Sequence, residues 1–378
     1  MKITKNLLNK ILLFLLIFVS VLLPAKSFGL KQIFLGALLV FNIKTILTGI
    51  SNSVFLKIFS VFLPIWMFSI SVISGGNVSD SIKYVYIFTF LWIPLIAKAS
   101  KINLDKVFIN VVILVAFVID MFVIFHSFKI LPLENNIFAQ WLNSTNNAQL
   151  SYTDDAIFYY VFYLNACPLL FFPLIDAMKE KKILNFFIVV FAILFSGTRA
   201  NIYLLLVVVL AYAVVYEKYT YRRYCILFLI LAMLCMLLPF IISFISDKID
   251  TINSVKSFGD NIRRERTFSA IRLIFDDFKI FTIGMGAGVP FYANGILNFG
   301  SEVSYIELWR VSGLFSLFFM SLLLISLLVK TIKNPVVISY VAYLTVCFVD
   351  PFLMTSTGFL MIMYMFNLNY KNEESIYG

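Results

Sequence analysis

Charge is what this sequence has least of. Only 13% of its 378 residues are charged, while 61% are hydrophobic and the mean hydropathy is +0.96. An ordinary soluble domain carries about 25% charged residues. A soluble enzyme of this length could not cover its surface with so few charges, and a coiled coil, a disordered chain and a disulfide scaffold are excluded by the same figures. Histidine occurs once, as His126, which rules out a histidine-rich metal site. No Gly-rich phosphate loop precedes a Lys, and no Cys-x-x-Cys pair occurs. The four cysteines (Cys167, Cys225, Cys235 and Cys347) all lie in apolar runs, so they report nothing about redox compartment. Tryptophan is sparse too, with four residues against 42 Phe, a balance suited to lipid-facing helices.

What is present is length and apolarity enough for a polytopic membrane protein. A crossing takes about 20 mainly apolar residues. Twelve runs qualify: 7–24, 31–50, 56–75, 82–98, 107–127, 156–176, 183–198, 200–216, 224–246, 310–329, 334–350 and 352–369. The first follows Lys2, Lys5 and Lys10 but has no clean small-residue cleavage site after it, so it reads as a retained helix rather than a secretory signal. The net charge of +10 does not indicate nucleic acid, because Lys and Arg are scattered through short loops. With the N-terminus inside, 16 basic residues fall on the inner side and five in the short outer loops. That bias supports twelve spans with both termini cytoplasmic. The fold expected is all-α, one transmembrane domain over 1–378, without convincing strands or internal repeats.

Two outer loops are long, 128–155 and 247–309. The larger carries Arg263, Arg264, Arg266 and Arg272, then Gly284, Gly286 and Gly288. Apolar spacing predicts a short interfacial helix over 268–281. Arginine holds phosphate oxygens in paired hydrogen bonds and keeps its charge, so this cluster suits a phosphate-bearing substrate. The structural alternative is a basic patch meeting lipid headgroups. Arg199 lies between two apolar runs, either facing a polar cavity or anchoring a boundary. Glu302 precedes the tenth span, with Tyr305 and Trp309 on one helical face; a carboxylate there suits proton abstraction, or else it pairs with a nearby arginine. Glu307 and Arg310, three apart, are expected to pair with each other. Lys44, Asp120 and Asp350 are polar residues inside apolar runs, and Lys44 and Asp120 are the features that favour transport. His126, at the outer end of the fifth span, reads as interfacial.

Two segments carry a resemblance. Phe195-Ser196-Gly197-Thr198-Arg199, followed at once by an apolar run, resembles the Ser-Gly-Ser/Thr-Arg signature of the O-antigen polymerase and O-antigen ligase superfamily. Arg272 through Ile283-Gly284-Met285-Gly286-Ala287-Gly288 resembles that superfamily's loop. The stretch Ser301-Glu302-Val303-Ser304-Tyr305-Ile306-Glu307-Leu308, with Gly313, resembles its entry into the next span. Together they cover roughly 183–330.

The resemblance implies a GT-C-like, lipid-carrier-dependent glycosyltransferase in the bacterial inner membrane. It would join oligosaccharide repeat units carried on undecaprenyl pyrophosphate at the periplasmic face, releasing the carrier. No nucleotide sugar, metal or other cofactor is implied. Arg199 and Arg272 would contact the donor pyrophosphate, and the glycine turn would let backbone approach the sugar or phosphate; the arginines 263, 264 and 266 and Tyr305 are expected to bind substrate from their own place in the loop and at the helix entry. The partners implied are the lipid-linked oligosaccharide and membrane lipid, with room for a chain-length regulator. The ligase branch places a histidine near the loop's end, where this chain has Ser301 and Glu302. That favours polymerase and makes Glu302 the expected acceptor-activating base. A lipid-linked oligosaccharide flippase or other transporter is the alternative from another class.

Overall fold

The structure, a computed structural model, describes residues 4–27, 29–131, 136–150, 162–196, 199–217, 256–293, 295–298, 300–301 and 303–377; for 150, 162, 196, 199, 256–263 and 370–377 it describes the backbone alone. Lipid offers no hydrogen-bond partners, so an apolar run must satisfy its backbone internally and becomes helical. Polar residues then set the boundaries. Thr4 caps α1 (Lys5–Leu22) by accepting the Leu7 N–H, Asn77 caps α5 (Val78–Ala99) and Asn103 caps α6 (Leu104–Ser127). Including α4 (Val54–Ile73) and α13 (Ser304–Thr331), five helices among the described residues are long and apolar enough to cross a membrane. α2 (Leu30–Phe41) and α3 (Ile43–Asn52) make a sixth if the bent pair is one span. The protein is thus a helical, multi-pass membrane protein. α9 (Ile183–Ser196), α10 (Arg199–Val215) and α14 (Val336–Val346) are apolar but shorter.

Several expected spans differ in form. The run 31–50 is not straight: α2 and α3 meet at 77°. Asn42 sits at the bend, buried, donating to the Leu38 carbonyl (2.9 Å) and to Asn9 Oδ1 (3.0 Å). Asn9 donates in turn to Asn42 and to Ser100 Oγ (2.7 Å). Lys44 is exposed on α3, just past the bend.

The run 156–176 is not one helix either. Its described part is a strand, β2 (Phe162–Leu164), paired antiparallel with β1 (Ala148–Leu150), then a tight turn through Pro168 into α8 (Phe171–Glu180). A short helix, α7 (Ile137–Ser144), precedes that sheet. The expected span 224–246 lies outside the described residues.

The interfacial helix expected over 268–281 is longer and broken. α11 runs Lys256–Asp276 and α12 runs Phe278–Thr282. The break is at Asp277, whose carboxylate accepts the Lys279 N–H (2.7 Å) and so starts a new helix. Beyond it a hairpin, β3 (Phe291–Ala293) with β4 (Ile296–Asn298), corrects the reading that no strands occur. α15 (Ser356–Tyr377) ends the chain. Phe359 through Met363, and Met365, are fully buried, so this stretch of the helix is enclosed on every side within the bundle.

Two spans depart from α-helical geometry at prolines. α4 widens into a π-turn over Lys57–Phe62 just before Pro64, and α5 tightens into a 3-10 stretch over Tyr86–Trp92 just before Pro94. A proline ring collides with the carbonyl four residues back, and a change of helical pitch there relieves the collision. The two departures touch, with Trp92 Nε1 donating to Ser60 Oγ (2.8 Å).

Hydrogen bonds sort the helix ends into two polar layers. One ties Asn9, Asn42 and Ser100 together and joins Asn367 to Asp105 (2.6 Å). The other ties Lys31, fully sequestered, to the Pro24 carbonyl (2.7 Å) and Ser356 (3.0 Å), and Ser304 to the Asp350 carbonyl (2.8 Å). The start of α13, at Ser304, belongs to this second layer.

Candidate functional site

The site begins with a broken helix. Gly313, inside α13, has φ +73° and ψ 178°, a conformation that a side chain strongly disfavours. An added Cβ would also overlap the Thr282 carbonyl oxygen. The break exposes two carbonyls that a continuous helix would cover. Those of Arg310 and Val311 are taken by the Met285 N–H (2.7 Å) and the Gly286 N–H (2.8 Å). Unpaired, each would cost several kcal/mol in an apolar setting.

The turn that supplies these donors needs its glycines. Gly284, Gly286 and Gly288 all have positive φ, and at Gly284 a Cβ would meet the Val311 carbonyl. On its other side the turn is clipped to α4, where the Ala287 N–H donates to Ser71 Oγ (2.7 Å). The glycine turn therefore bridges α4 and α13 by backbone contacts.

Behind the turn lies a buried ion pair. Arg310 is fully buried and holds Glu307 through two bonds, 2.7 and 3.0 Å, as the three-residue spacing predicted. Its other arm donates to the Val289 carbonyl (3.1 Å), and its guanidinium stands 4.9 Å from the centre of the Phe291 ring. Glu307 also accepts the Ser301 N–H (2.8 Å). This pair locks α13 to both ends of the segment 285–301.

Two adjoining hollows, about 310 and 420 Å³, open beside it. They share Tyr84, Glu307 and Met354. Gly300, Ser301, Ser304 and Pro351 line one; Asp80, Lys83, Ala287, Gly288 and Val311 line the other. Lys83 is paired with Asp80 at 2.8 Å. The Tyr84 hydroxyl is buried without a hydrogen-bond partner. Asp80, Lys83 and Tyr84 were missed in the sequence; the Ser74-Gly75-Gly76-Asn77 turn before them was the signal available.

Of the residues expected at the site, the structure brings Gly284, Gly286 and Gly288 to its centre. Arg264 and Arg272 are exposed on α11 and Arg266 is half-buried there. They line neither hollow. Arg263 is placed on α11 by its backbone alone, and Arg199 likewise is the first residue of α10. Glu302 lies outside the described residues. Tyr305 directs its hydroxyl to the Leu344 carbonyl (3.1 Å) and its ring against Phe348 (4.4 Å), a tie between α13 and α14. His126 sits in the last turn of α6, and Asp350 in the turn after α14. Asp120 is buried in α6, and its Oδ1 has no partner.

Comparison of the chain with known protein families and with curated proteins finds no match. What the fold and site define together is a helical membrane protein with a polar, glycine-hinged chamber at one end of its bundle.

Proposed function

We propose that this protein is a polysaccharide polymerase that joins oligosaccharide units carried on undecaprenyl pyrophosphate, at the outer face of a bacterial inner membrane. One observation carries the reading. The glycine turn 284–288 is held against the kinked α13, beside a polar chamber, and follows α12 and the arginine-bearing α11 in the chain. That is the arrangement a carrier-linked glycosyl transfer needs: cation for the leaving group, and bare backbone and polar side chains for the saccharide.

In the proposed reaction a hydroxyl of the acceptor unit attacks the anomeric carbon of the donor chain. The bond from that carbon to the pyrophosphate oxygen breaks, and undecaprenyl pyrophosphate leaves with the electron pair. Arg199 and Arg272 neutralise charge on the leaving group, helped by the arginines 263, 264 and 266. Glu302 takes the acceptor proton.

The sidedness proposed follows from where the lysines fall. Lys5, Lys10, Lys98, Lys101 and Lys106 lie at or beside helix ends in the polar layer of Asn9, Ser100 and Asp105. Cytoplasmic loops carry such excesses, which puts that layer inside and the chamber outside. An arrangement with both termini cytoplasmic accords with this.

The test is chain length in cells. Arg272→Ala and Arg199→Ala, expressed at normal levels, are expected to leave single repeat units on the lipid core, as deletion would; full-length surface polysaccharide from both variants refutes the site. A second reading, transport of the lipid-linked unit, is favoured by Asp120, a buried carboxyl inside an apolar span. It predicts that deletion stops units from reaching the outer face.

A further inference from the structure

We propose that the twin hollow is a subsite for one uncharged sugar ring of the saccharide, and that the Tyr84 hydroxyl is its specificity-determining donor. This deepens the polymerase reading and rests on it.

Size comes first. At about 310 and 420 Å³ the two hollows sit at the low end of the ~300–1,000 Å³ range of small-molecule sites, right for one ring rather than a lipid chain. The lining has two characters. Met354, Pro351, Val311 and Ala287 offer apolar surface for the C–H face of a ring. Asp80, Glu307, Ser301 and Ser304 offer oxygens to its hydroxyls.

Charge selects against an anion. The lining holds two carboxylates, Asp80 and Glu307, and one ammonium, Lys83, which already binds Asp80. Arg310 is turned away into its pair with Glu307 and the Val289 carbonyl. Both lining carboxylates are already paired, Asp80 with Lys83 and Glu307 with Arg310, so a phosphate or uronate carboxylate would find no uncommitted cation in the lining, whereas a neutral hydroxyl finds acceptors. The arginines of α11 lie outside the lining, so the pyrophosphate and the sugar are received in different places.

The unfilled position belongs to Tyr84. Its hydroxyl is enclosed yet unbonded, and a buried unpaired donor is costly. A sugar hydroxyl would complete it. Gly288 shapes the same wall, since a Cβ there would press on the Asp80 side chain at 3.1 Å.

The test uses the full chain in lipid nanodiscs and saturation-transfer NMR. The probes are methyl glycosides of glucose, galactose and N-acetylglucosamine, with methyl glucuronide and inorganic pyrophosphate as the anionic comparison. At least one neutral glycoside is expected to bind and methyl glucuronide is not. Tyr84→Phe is expected to weaken that binding about fivefold to tenfold, the effect of one lost hydrogen bond. Tyr84→Trp, which fills the hollow, is expected to abolish it. Binding of no neutral glycoside, binding of the glucuronide as well as the neutral ones, or unchanged binding in both Tyr84 variants overturns the proposal. Chain length in cells separates this from the polymerase reading. If Arg272→Ala shortens chains while Tyr84→Trp alters neither binding nor chains, the subsite falls and the polymerase stands. If Tyr84→Trp abolishes binding but neither variant alters chains, the sugar site stands and the polymerase falls.

Discussion

Arg310→Met would test the architecture of the site at its most costly point. Arg310 is fully buried and holds Glu307 by two charge-assisted bonds, the Val289 carbonyl by a third and the Phe291 ring by its face. Removing one partner of a buried ion pair leaves the other uncompensated, at a cost of about 3–5 kcal/mol. The loss falls on the join between α13 and the segment 285–301, because every partner named lies there. At about 1.4 kcal/mol per tenfold, local opening of that join should become roughly 140- to 3,700-fold more populated. Hydrogen exchange reads this directly. The Met285 and Gly286 amides, bonded to the Arg310 and Val311 carbonyls, should lose protection by that factor or reach the unprotected rate. The double variant Glu307→Gln with Arg310→Met leaves no orphaned charge and should recover most of the loss, giving a coupling measurable by a mutant cycle. Less than tenfold deprotection in the single variant, or a double variant no better than the single, would refute the reasoning.

Other outcomes follow from the same contacts. Gly284→Ala and Gly313→Ala force a Cβ into backbone carbonyls of the partner segment, so both should lower the detergent melting temperature well beyond Gly29→Ala, which has positive φ but open space and should cost about 1–2 kcal/mol. Asn9→Ala strips a partner from Asn42 and from Ser100 and should destabilise by about 1–3 kcal/mol in a reversible unfolding titration. A cysteine placed at position 260 in a cysteine-free background should react with an impermeant reagent from outside; reaction only from inside sinks the proposed sidedness. Trp92→Phe removes the Trp92–Ser60 side-chain bond joining the π-turn to the 3-10 stretch, and should raise exchange in 57–62 while leaving α6 unchanged.

What the sequence disclosed and what it concealed divide by distance along the chain. Runs such as 7–24, 107–127 and 183–198 became α1, α6 and α9, because helix formation in lipid depends on local apolarity alone. The Glu307–Arg310 pair was legible because three residues is one helical turn. The glycines 284, 286 and 288 were legible as a turn. The bend at Asn42 was not, since it is fixed by Asn9, 33 residues away, and hydropathy counts Asn42 as a minor flaw in an apolar run. The strand at 162–164 was hidden because its partner is β1, up to 16 positions earlier in the chain. The chamber was hidden most of all: Tyr84 and Gly288 lie about 200 residues apart in sequence, and no local pattern announces that they face one space.

The irregular backbone of this protein is not spread evenly. α6 is an unbroken helix of 24 residues and α1 one of 18, whereas the three spans around the chamber each break pattern: α4 by its π-turn, α5 by its 3-10 stretch and α13 at Gly313. In an apolar surround a freed carbonyl is costly, so such breaks persist only where something else bonds the backbone. At α13 the glycine turn does so. That makes the turn and the kink one device: each supplies the other's backbone hydrogen-bond partners, and together they hold polar backbone at the end of the bundle. A continuous α13 would leave the turn without acceptors and release Ala287 from Ser71, opening the wall between α4 and α13. The functional reading thus leans less on any single side chain than on this mutual dependence, which ties residues 282–288 to Gly313 whatever substrate the chamber receives.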